Sequence, residues 1–243
     1  MSVVGVIPAR YDSVRFPGKA LAQIEGRPMI QHVYEQARRS RLLTDVIVAC
    51  DDERIKSAAM EIGAKVIMTR PDHACGTDRI VEAVQGVEAE MIVNIQGDEP
   101  LIEPQVVDSL IEALREDPQQ VMATVVTKIH SPQDIDDPNV VKVVLDNQHF
   151  GIYFSRSAIP FNRAGIEHVY YKHLGIYAYT KEFLLIYAAL PKTTLESAEC
   201  LEQLRAIQYG YKIKTIITDY DSVGVDTPED LAKVARMIKE REA

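Results

Sequence analysis

The sequence has few of the features that mark specialised classes of protein. Its three cysteines, Cys50, Cys75 and Cys200, are odd in number and far apart, so we expect neither a disulfide framework nor a zinc site. Such sparse cysteine suits a reducing cytoplasmic location. No run of about eighteen apolar residues occurs, so no membrane span is expected. The N-terminal residues also lack the pattern of a signal peptide.

The charge balance is acidic, with 27 Lys and Arg against 36 Asp and Glu. This disfavours a protein that binds nucleic acid broadly through its surface. At 243 residues the chain can bury a sizeable core, and we expect one domain, or one domain with a lobe. The sequence lacks both Gly-x-Gly-x-x-Gly and Gly-Lys-Ser/Thr, which argues against a nicotinamide oxidoreductase and a Walker loop.

Short apolar runs alternate with helical patterns over the first ~120 residues, which is typical of parallel strands joined by helical crossovers. Strands are predicted at residues 3–9, 45–50, 65–68 and 91–95. Helices are predicted from Pro28 to about 41, from Asp51 or Asp52 to near 63, and at 78–87 and 104–115. The fold class predicted is α/β with a doubly wound sheet.

From Val121 the rhythm changes to strands with little helix between them. We expect a smaller antiparallel or mixed lobe over about residues 121–209, with residues 1–120 and 210–243 forming the main part. Helices return at about 181–189 and 198–209, followed by a strand at 212–217 and a last helix from Pro228.

The stretch "VIPARYDSVRFPGK" places three cations, Arg10, Arg15 and Lys19, directly after the first predicted strand. Ligands of open α/β sheets bind at the carboxyl ends of the strands. Arg can grip phosphate oxygens in forked geometry and Lys adds a point charge, while Gly18 would allow a close backbone approach. The stretch therefore indicates a phosphate-binding loop, and the alternative is a solvated basic loop.

Two acids occupy comparable positions far apart in the chain. Asp98, in "NIQGDEP", follows the fourth predicted strand, and Asp226, in "GVDTPEDL", precedes the last helix. Such a pair suits Mg²⁺ on a triphosphate. The alternatives are a turn-forming Asp98 and an Asp226 that caps the helix, although Thr227 could cap while Asp226 binds metal.

The stretch "HACGTDR" has three small residues, Ala74, Cys75 and Gly76, before a predicted helix. Backbone groups there could read the edge of a pyrimidine, and a tight pocket would exclude a purine. The alternative is a simple turn into the helix.

Eight segments in this order resemble the 3-deoxy-manno-octulosonate (Kdo) cytidylyltransferases, also called CMP-Kdo synthetases. They are "IPARYDSVRFPGK", "HACGTDR", "NIQGDEP", "VVKVVLD", "YFSRSAIPFNR", "KHLGIYAY", "ESAECLEQLR" and "GVDTPEDL". The resemblance covers nearly the whole chain. It implies a nucleotide-diphospho-sugar transferase fold and the reaction of CTP with Kdo to give CMP-Kdo and pyrophosphate, which supplies lipopolysaccharide biosynthesis. It also implies that residues 1–120 and 210–243 form the nucleotide-binding part. The smaller lobe, about residues 121–209, would bind the sugar and form most of a homodimer interface.

The resemblance further implies roles for individual residues. The triphosphate loop falls on Arg10, Ser13, Arg15 and Lys19, the cytosine-reading segment on Ala74, Cys75, Gly76 and Arg79, the Mg²⁺ carboxylates on Asp98 and Asp226, and the sugar-acid contacts on Gln96, Arg156, His173, Tyr177, Glu202 and Gln203. Arg10, Lys19, Asp98 and Asp226 are the expected catalytic residues. The sequence departs from the family pattern at Val14, where Thr is usual, and at Cys75, where Ser is usual. The segment between Arg163 and His173 is short for the family.

Other readings stay open for the sugar-site residues and for the substrate. Arg156 could form a surface or interface salt bridge, His173 and Tyr177 a packed polar pair, and Glu202 part of a solvated helix face. The rival substrates are sialic acid and an amino-substituted Kdo, activated by the same chemistry. A nucleotide binder without catalysis is the rival of a different class, and the paired acids disfavour it.

Overall fold

The computed structural model describes residues 2–12 and 15–242. The chain divides into two compact units. The first unit comprises Met1–Ile111 and Ser222–Ala243, and the second comprises Glu112–Asp221. Within the described part of the chain, no helix combines the length and apolar character needed to cross a membrane.

Strands and helices follow one another along both units. The strands are β1 (Val3–Ala9), β2 (Gln23–Ile24), β3 (Arg27–Pro28), β4 (Asp45–Cys50), β5 (Lys65–Met68), β6 (Met91–Asn94), β7 (Met122–Lys128), β8 (Lys142–Leu145), β9 (Gly151–Ser155), β10 (Tyr171–Thr180) and β11 (Lys214–Thr218). The helices are α1 (Met29–Arg38), α2 (Glu53–Glu61), α3 (Gly76–Val84), α4 (Pro104–Glu116), α5 (Pro132–Asp136), α6 (Lys181–Ala189), α7 (Thr194–Glu199), α8 (Gln203–Gln208) and α9 (Pro228–Glu242). A 3₁₀ turn spans Lys19–Leu21.

The first unit contains four parallel strands in the order β6-β1-β4-β5. Val6, Ile7, Val48 and Ile92 are fully buried, as expected for parallel strands covered on both faces. The predicted parallel sheet is therefore confirmed. Since parallel strands end at the same edge, the loops after β1 and β6 lie side by side, and this edge is where the first group of site residues collects.

A hydrophobic cluster brings the last segment of the chain back to the first unit. Buried side chains from the β2–β3 hairpin, α1, the region after β6 and α9 form it, namely Ile24, Met29, Leu101, Val225, Val234 and Ile238. The backbone N–H of Val225 also donates to the carbonyl of Asp98 at 2.9 Å. This packing places Asp226 beside the loop after β6.

The second unit contains a mixed sheet in which β7 pairs with β11 in parallel and with β10 in antiparallel fashion. β8 pairs antiparallel with both β10 and β9. The parallel ladder with β7 assigns β11 to this unit. Sequence analysis grouped residues 210–243 with the nucleotide-binding part, and the structure differs because Lys214–Thr218 completes this second sheet.

The predicted single helix at 198–209 is wrong, because the chain there forms two short helices. α7 ends at Cys200, whose φ of 52° is left-handed, and α8 begins at Gln203. A capping box between Thr193 and Glu196 starts α7. The guanidinium of Arg205 on α8 pairs with the Glu196 carboxylate on α7, so a buried ion pair joins the two helices.

Candidate active site

The loops after β1 and β6 are held together by a close backbone approach. A Cβ placed on Gly97 would lie only 2.7 Å from the carbonyl oxygen of Pro8. Only glycine fits such a contact without movement of the backbone. The contact fixes Asp98 against the start of the opening loop.

Lys19 lies at the centre of the first group of site residues. Its ammonium nitrogen is 2.7 Å from Asp98 Oδ2 and 3.2 Å from Asp226 Oδ1, and it also donates to the carbonyl of Val225 at 3.2 Å. The Arg15 guanidinium pairs with the other oxygen of Asp226 at 2.9 Å. Two carboxylates and two cations from three separate segments thus meet at the carboxyl edge of the sheet.

The helix-cap alternative for Asp226 is resolved by its neighbours. The hydroxyl of Thr227 accepts from the backbone N–H of Asp230 at 3.2 Å, and the Asp230 carboxylate accepts from the N–H groups of Asp226 and Thr227. Burial raises the pKa of the Asp230 carboxyl, but these hydrogen bonds outweigh burial and hold the pKa below its usual value. Thr227 therefore caps α9, and the Asp226 carboxylate is available for the cations.

The donor set around Lys19 suits a hard divalent cation. Mg²⁺ is usually bound by one or two carboxylates, with substrate phosphates and water completing its shell. Asp98 and Asp226 supply two carboxylates that already share one positive group. Among the described residues, no group of three or more His, Cys, Asp or Glu is arranged to hold a metal ion.

Two cations of the opening loop are exposed. Arg10 is exposed at the end of β1, and the side chain of Arg15 is 65% exposed. Ser13 and Val14 lie outside the described residues. Gly18 has a φ of 70°, and a Cβ there would lie 3.2 Å from the ring of Tyr11, so the left-handed turn and the tight space both favour glycine.

The predicted base-reading segment forms the start of α3. Ala74 and Gly76 are exposed and Cys75 is half-buried at the N-cap. Arg79 differs from them because its side chain is buried. Its guanidinium pairs with Asp51 Oδ2 at 2.7 Å, and Asp51 Oδ1 accepts from the backbone N–H of Tyr11 at 3.1 Å. Arg79 thus links the first turn of α3 to the opening loop through Asp51.

Arg156 lies in the second unit, directly after β9. Its Nε donates to the carbonyl of Glu199 at 2.8 Å and its Nη1 to the carbonyl of Pro138 at 2.9 Å. Both acceptors are neutral carbonyls that orient the guanidinium, while the carboxylate of Glu199 contacts the backbone N–H of Arg156 and offsets part of its charge. This arrangement differs from the salt bridge considered for Arg156 and suits a residue that meets an anionic ligand.

His173 and Tyr177 lie on β10 with their ring centroids 5.4 Å apart. A bulge in the pairing with β7 falls between them, and the rings still meet. Burial lowers the pKa of His173 to about 3, so the imidazole is neutral at pH 7. Burial, with Tyr187 and Glu202 nearby, raises the pKa of Tyr177 well above its usual value.

The hydrogen bond from His173 to Thr124 defines the tautomer. Thr124 Oγ1 lies 2.8 Å from the carbonyl of Ile176 and 2.9 Å from His173 Nε2. Since a hydroxyl has one proton and a carbonyl can only accept, Nε2 of His173 is the donor to Thr124. The Nδ1 atom is then an acceptor, which suits a sugar hydroxyl.

The other predicted sugar contacts are divided between the units. Gln96 is half-buried after β6 in the first unit. Glu202 and Gln203 lie at the start of α8 in the second unit, where the carbonyl of Glu202 accepts from the Tyr187 hydroxyl at 2.6 Å. The side-chain amide nitrogen of Gln203 is buried, with no hydrogen-bond partner among the described residues.

Sequence reasoning missed several residues that support these groups. Asp51 follows β4 at the same sheet edge as Asp98, and this signal could have identified it. Gly97 was part of a quoted motif, but its contact with Pro8 depends on the fold. Glu199 and Lys142 also lie in quoted segments, but their roles depend on parts of the chain that meet only in three dimensions.

These features define the class of the protein. The sequence profile of the cytidylyltransferases matches residues 4–216. The 3-deoxy-manno-octulosonate cytidylyltransferase of Solibacter usitatus (strain Ellin6076) is 52% identical over 98% of this chain and 94% of its own. The chain therefore belongs to the 3-deoxy-manno-octulosonate cytidylyltransferase family, which confirms the resemblance seen in the motifs.

Two further comparisons support the family and the fold. The chain superposes on the solved structure of a CMP:2-keto-3-deoxy-manno-octonic acid synthetase complexed with CTP with a TM-score of 0.96, at 45% identity, covering 99% of this chain and 100% of that one. The 8-amino-3,8-dideoxy-manno-octulosonate cytidylyltransferase of Shewanella oneidensis (strain ATCC 700550 / JCM 31522 / CIP 106686 / LMG 19005 / NCIMB 14063 / MR-1) is 51% identical over 96% of this chain and 97% of its own.

Proposed function

We propose that this chain transfers the CMP moiety of CTP to the anomeric hydroxyl of Kdo and releases pyrophosphate, for lipopolysaccharide biosynthesis. The observation that carries the proposal is the Lys19 ammonium bound by both Asp98 and Asp226 at the carboxyl edge of the parallel sheet. A relative 52% identical over nearly the whole chain carries this activity in its name, and a similar solved structure holds CTP.

The reaction must bring two anions together, the triphosphate of CTP and the carboxylate of Kdo. Arg10, Arg15 and Lys19 would hold the phosphates that leave as pyrophosphate. Their charges offset the negative charge that shifts onto the leaving group as the bond to the α-phosphorus breaks. Arg10 and Arg15 are exposed, and Arg15 would exchange its pairing with Asp226 for the phosphates.

Asp98 and Asp226 would hold Mg²⁺. When bound, Mg²⁺ offsets phosphate charge and lowers the pKa of the hydroxyl that attacks. Asp98→Asn keeps the shape of this site and removes a charge, so we expect turnover at saturating Mg²⁺ to fall by orders of magnitude. Asp72→Asn, at an exposed position of the same unit, is the matched control. A near wild-type rate for Asp98→Asn would show that the metal assignment is wrong.

The sugar acid needs a cation of its own, because the cations of the opening loop serve the triphosphate. Arg156 is that cation, and the neutral His173 offers its Nδ1 to a sugar hydroxyl. We expect Arg156→Ala to raise the KM for Kdo by roughly 10²-fold, the general size of losing a charged partner in a partly desolvated site. The Kd for CTP measured without Kdo should change little. Loss of CTP affinity with normal Kdo saturation would assign Arg156 to the nucleotide instead.

The backbone at Ala74, Cys75 and Gly76 would read the cytosine edge, with Arg79 supporting the segment from below. The exposed position of Ala74 and Gly76 at the start of α3 supports this role. CTP should be strongly preferred to ATP and GTP. Equal use of ATP would rule out base reading by this segment.

The identity of the sugar acid is the point on which the relatives divide. The Shewanella oneidensis relative, at 51% identity, is named for the 8-amino sugar, so 8-amino-Kdo is the second candidate substrate. A pyrophosphate-release assay with CTP and Kdo, 8-amino-Kdo or sialic acid decides between them. We expect the highest kcat/KM with Kdo. A higher value with either rival would replace Kdo, and no release with any of them would favour a nucleotide binder without catalysis.

The second unit carries several exposed apolar side chains. We propose a homodimer formed through the second unit, where Ile152, Phe161, Ile166 and Val169 are exposed apolar side chains. Exposed apolar side chains that form a contiguous patch are typical of association surfaces. CTP is a cytoplasmic substrate, and three free cysteines suit that reducing compartment.

A further inference from the structure

The guanidinium of Arg156 is held from two sides by backbone carbonyls of two other segments of the second unit. One support is the turn between α7 and α8, through the carbonyl of Glu199. The other is the 137–140 loop, through the carbonyl of Pro138. A charged residue stabilises each support, Glu199 the first and Lys142 the second.

The Glu199 carboxylate gathers donors from the end of β9. Its Oε1 accepts from the hydroxyl of Ser155 at 2.6 Å and from that of Tyr153 at 3.4 Å, and its Oε2 accepts from the backbone N–H of Arg156 at 2.9 Å. Burial raises the pKa of the Glu199 carboxyl, but these hydrogen bonds outweigh burial and hold the pKa below its usual value. An ionised Glu199 thus fixes the backbone from which the Arg156 side chain starts.

The same residue also holds the other end of that side chain. The carbonyl of Glu199 stands at the C-terminus of α7, where the left-handed turn at Cys200 ends the helix. Terminal carbonyls of a helix carry partial negative charge and favour cations. Glu199 therefore contacts Arg156 at both its backbone N–H and its guanidinium, which limits the rotamers open to the side chain.

Lys142 stabilises the second support. Its side chain is fully buried, and its ammonium donates to the carbonyls of Asp137 at 2.7 Å and Val140 at 2.5 Å. Burial lowers the pKa of Lys142, and a buried ammonium is retained only where acceptors satisfy it. These two bonds close the 137–140 loop, which presents the Pro138 carbonyl to Arg156.

We propose that Glu199 and Lys142 are positioning residues, which hold the Arg156 guanidinium in the orientation that receives the carboxylate of the sugar acid. This rests on the sugar-acid role proposed for Arg156. Neither Glu199 nor Lys142 touches substrate; they act through Arg156 alone. Their loss should therefore weaken binding of the sugar acid and leave nucleotide binding intact.

The test is a double-mutant cycle read by steady-state kinetics and CTP binding. Glu199→Ala should raise the KM for Kdo about tenfold, the size expected for loss of a hydrogen bond to a charged group, and leave the Kd for CTP unchanged. Glu199→Gln, which keeps an acceptor oxygen, should recover part of the loss. Glu182→Gln, at an exposed position on α6, is the matched control and should behave as wild type.

In the Arg156→Ala background, Glu199→Ala should change the KM for Kdo by less than about twofold, because the residue it orients is already gone. Lys142→Met should behave like Glu199→Ala, and if it does not fold, the Glu199 arms still decide. An equal tenfold effect in both backgrounds overturns the positioning role. If Arg156→Ala alone leaves the KM for Kdo unchanged, the proposed role of Arg156 is wrong, and the positioning role is wrong with it. The single variant Arg156→Ala is enough to identify this outcome.

Discussion

Lys19 is the residue on which three distant segments of the first unit converge. Its ammonium contacts Asp98 and Asp226, which are 128 positions apart in the chain and would repel one another without a cation between them. At partly exposed positions such repulsion is moderated by solvent, but it still opposes bringing both carboxylates to one site. The contacts of Lys19 therefore stabilise the arrangement of the two acids that we propose as Mg²⁺ ligands.

Replacing Lys19 by Met should alter the response of the fold to metal. Lys19→Met removes the cation that the two carboxylates share, so the free energy of unfolding should fall and the acids should bind Mg²⁺ more tightly. We expect Mg²⁺ added without nucleotide to raise the Tm of Lys19→Met more than that of wild type, in a thermal denaturation series. Lys65→Met, at an exposed lysine of the same unit, is the control. Equal Mg²⁺ responses in variant and wild type would contradict the shared-cation argument.

His173 should make stability depend on pH below neutrality. Burial lowers its pKa to about 3 in the folded chain, against 6.5 for an exposed imidazole. Between these values the unfolded chain takes up a proton that the folded chain does not, so acidification favours unfolding. We expect the free energy of unfolding to fall less from pH 7 to pH 5 in His173→Gln than in wild type, measured by denaturant titration. His130→Gln, at an exposed histidine, should retain the full loss. Identical losses in His173→Gln and wild type would refute the prediction.

At the scale of elements, the loops after β1 and β6 are held together because their backbones are in contact. Gly97 lies against the Pro8 carbonyl, and a backbone atom cannot move aside as a flexible side chain can. The contact therefore fixes the two loops relative to each other, and so aligns the opening loop with Asp98.

Gly97→Ala should accordingly destabilise the fold and reduce activity together. The added methyl group would lie 2.7 Å from the Pro8 carbonyl, and forced overpacking of this kind costs about 1–3 kcal/mol. Gly86→Ala is the matched control, because a Cβ there meets no described atom within 4 Å. Denaturant unfolding measures both variants. If Gly97→Ala proved as stable as Gly86→Ala, the backbone contact would not constrain the loops.

The local pattern of the sequence was enough to predict most elements of the first unit. β1, β4 and β5 have the predicted bounds, because short β-branched runs between capped helices leave few alternatives. The same local signals failed at Cys200, where a good helical pattern hides a left-handed turn. That break is stabilised by the Glu196–Arg205 ion pair and by packing, which no window of local sequence contains.

The site residues show the same difference between what local sequence predicts and what depends on the fold. Cations and acids at strand ends could be predicted, because the parallel sheet collects them at one edge. Their partners could not be predicted, since the contact of Lys19 with both Asp98 and Asp226 depends on how the C-terminal segment returns to the first unit. The same holds for Arg79, whose burial against Asp51 gives it a supporting position that the sequence does not reveal.

At the scale of the whole molecule, the net charge of −9 opposes the approach of anionic substrates. The cations of the site must therefore outweigh the repulsion from the net negative charge. Added salt screens this repulsion, but it also weakens the contacts between those cations and the substrates. The same net charge opposes self-association, so a dimer must rest on apolar burial. The exposed apolar side chains of the second unit could supply that burial.

Phe161 should contribute most to such a dimer, since its side chain is 85% exposed, more than Ile166 at 64%. We expect Phe161→Ser to shift the protein towards monomer in sedimentation velocity, because each buried aromatic side chain stabilises an interface by its apolar area. Met60→Ser, at a 59% exposed methionine of the first unit, should leave the association state unchanged. A wild-type monomer, or a Phe161→Ser dimer of unchanged affinity, would exclude this surface.

The left-handed turn at Cys200 has a practical consequence for chemical labelling. It holds an exposed thiol next to Glu199, whereas the thiol of Cys50 is buried and its pKa is raised by burial to about 11. Because the thiolate is the reactive form, Cys50 should react far more slowly with alkylating reagents. With the half-buried Cys75 replaced, a fluorophore could therefore be attached at Cys200, where its emission would report on the turn between α7 and α8.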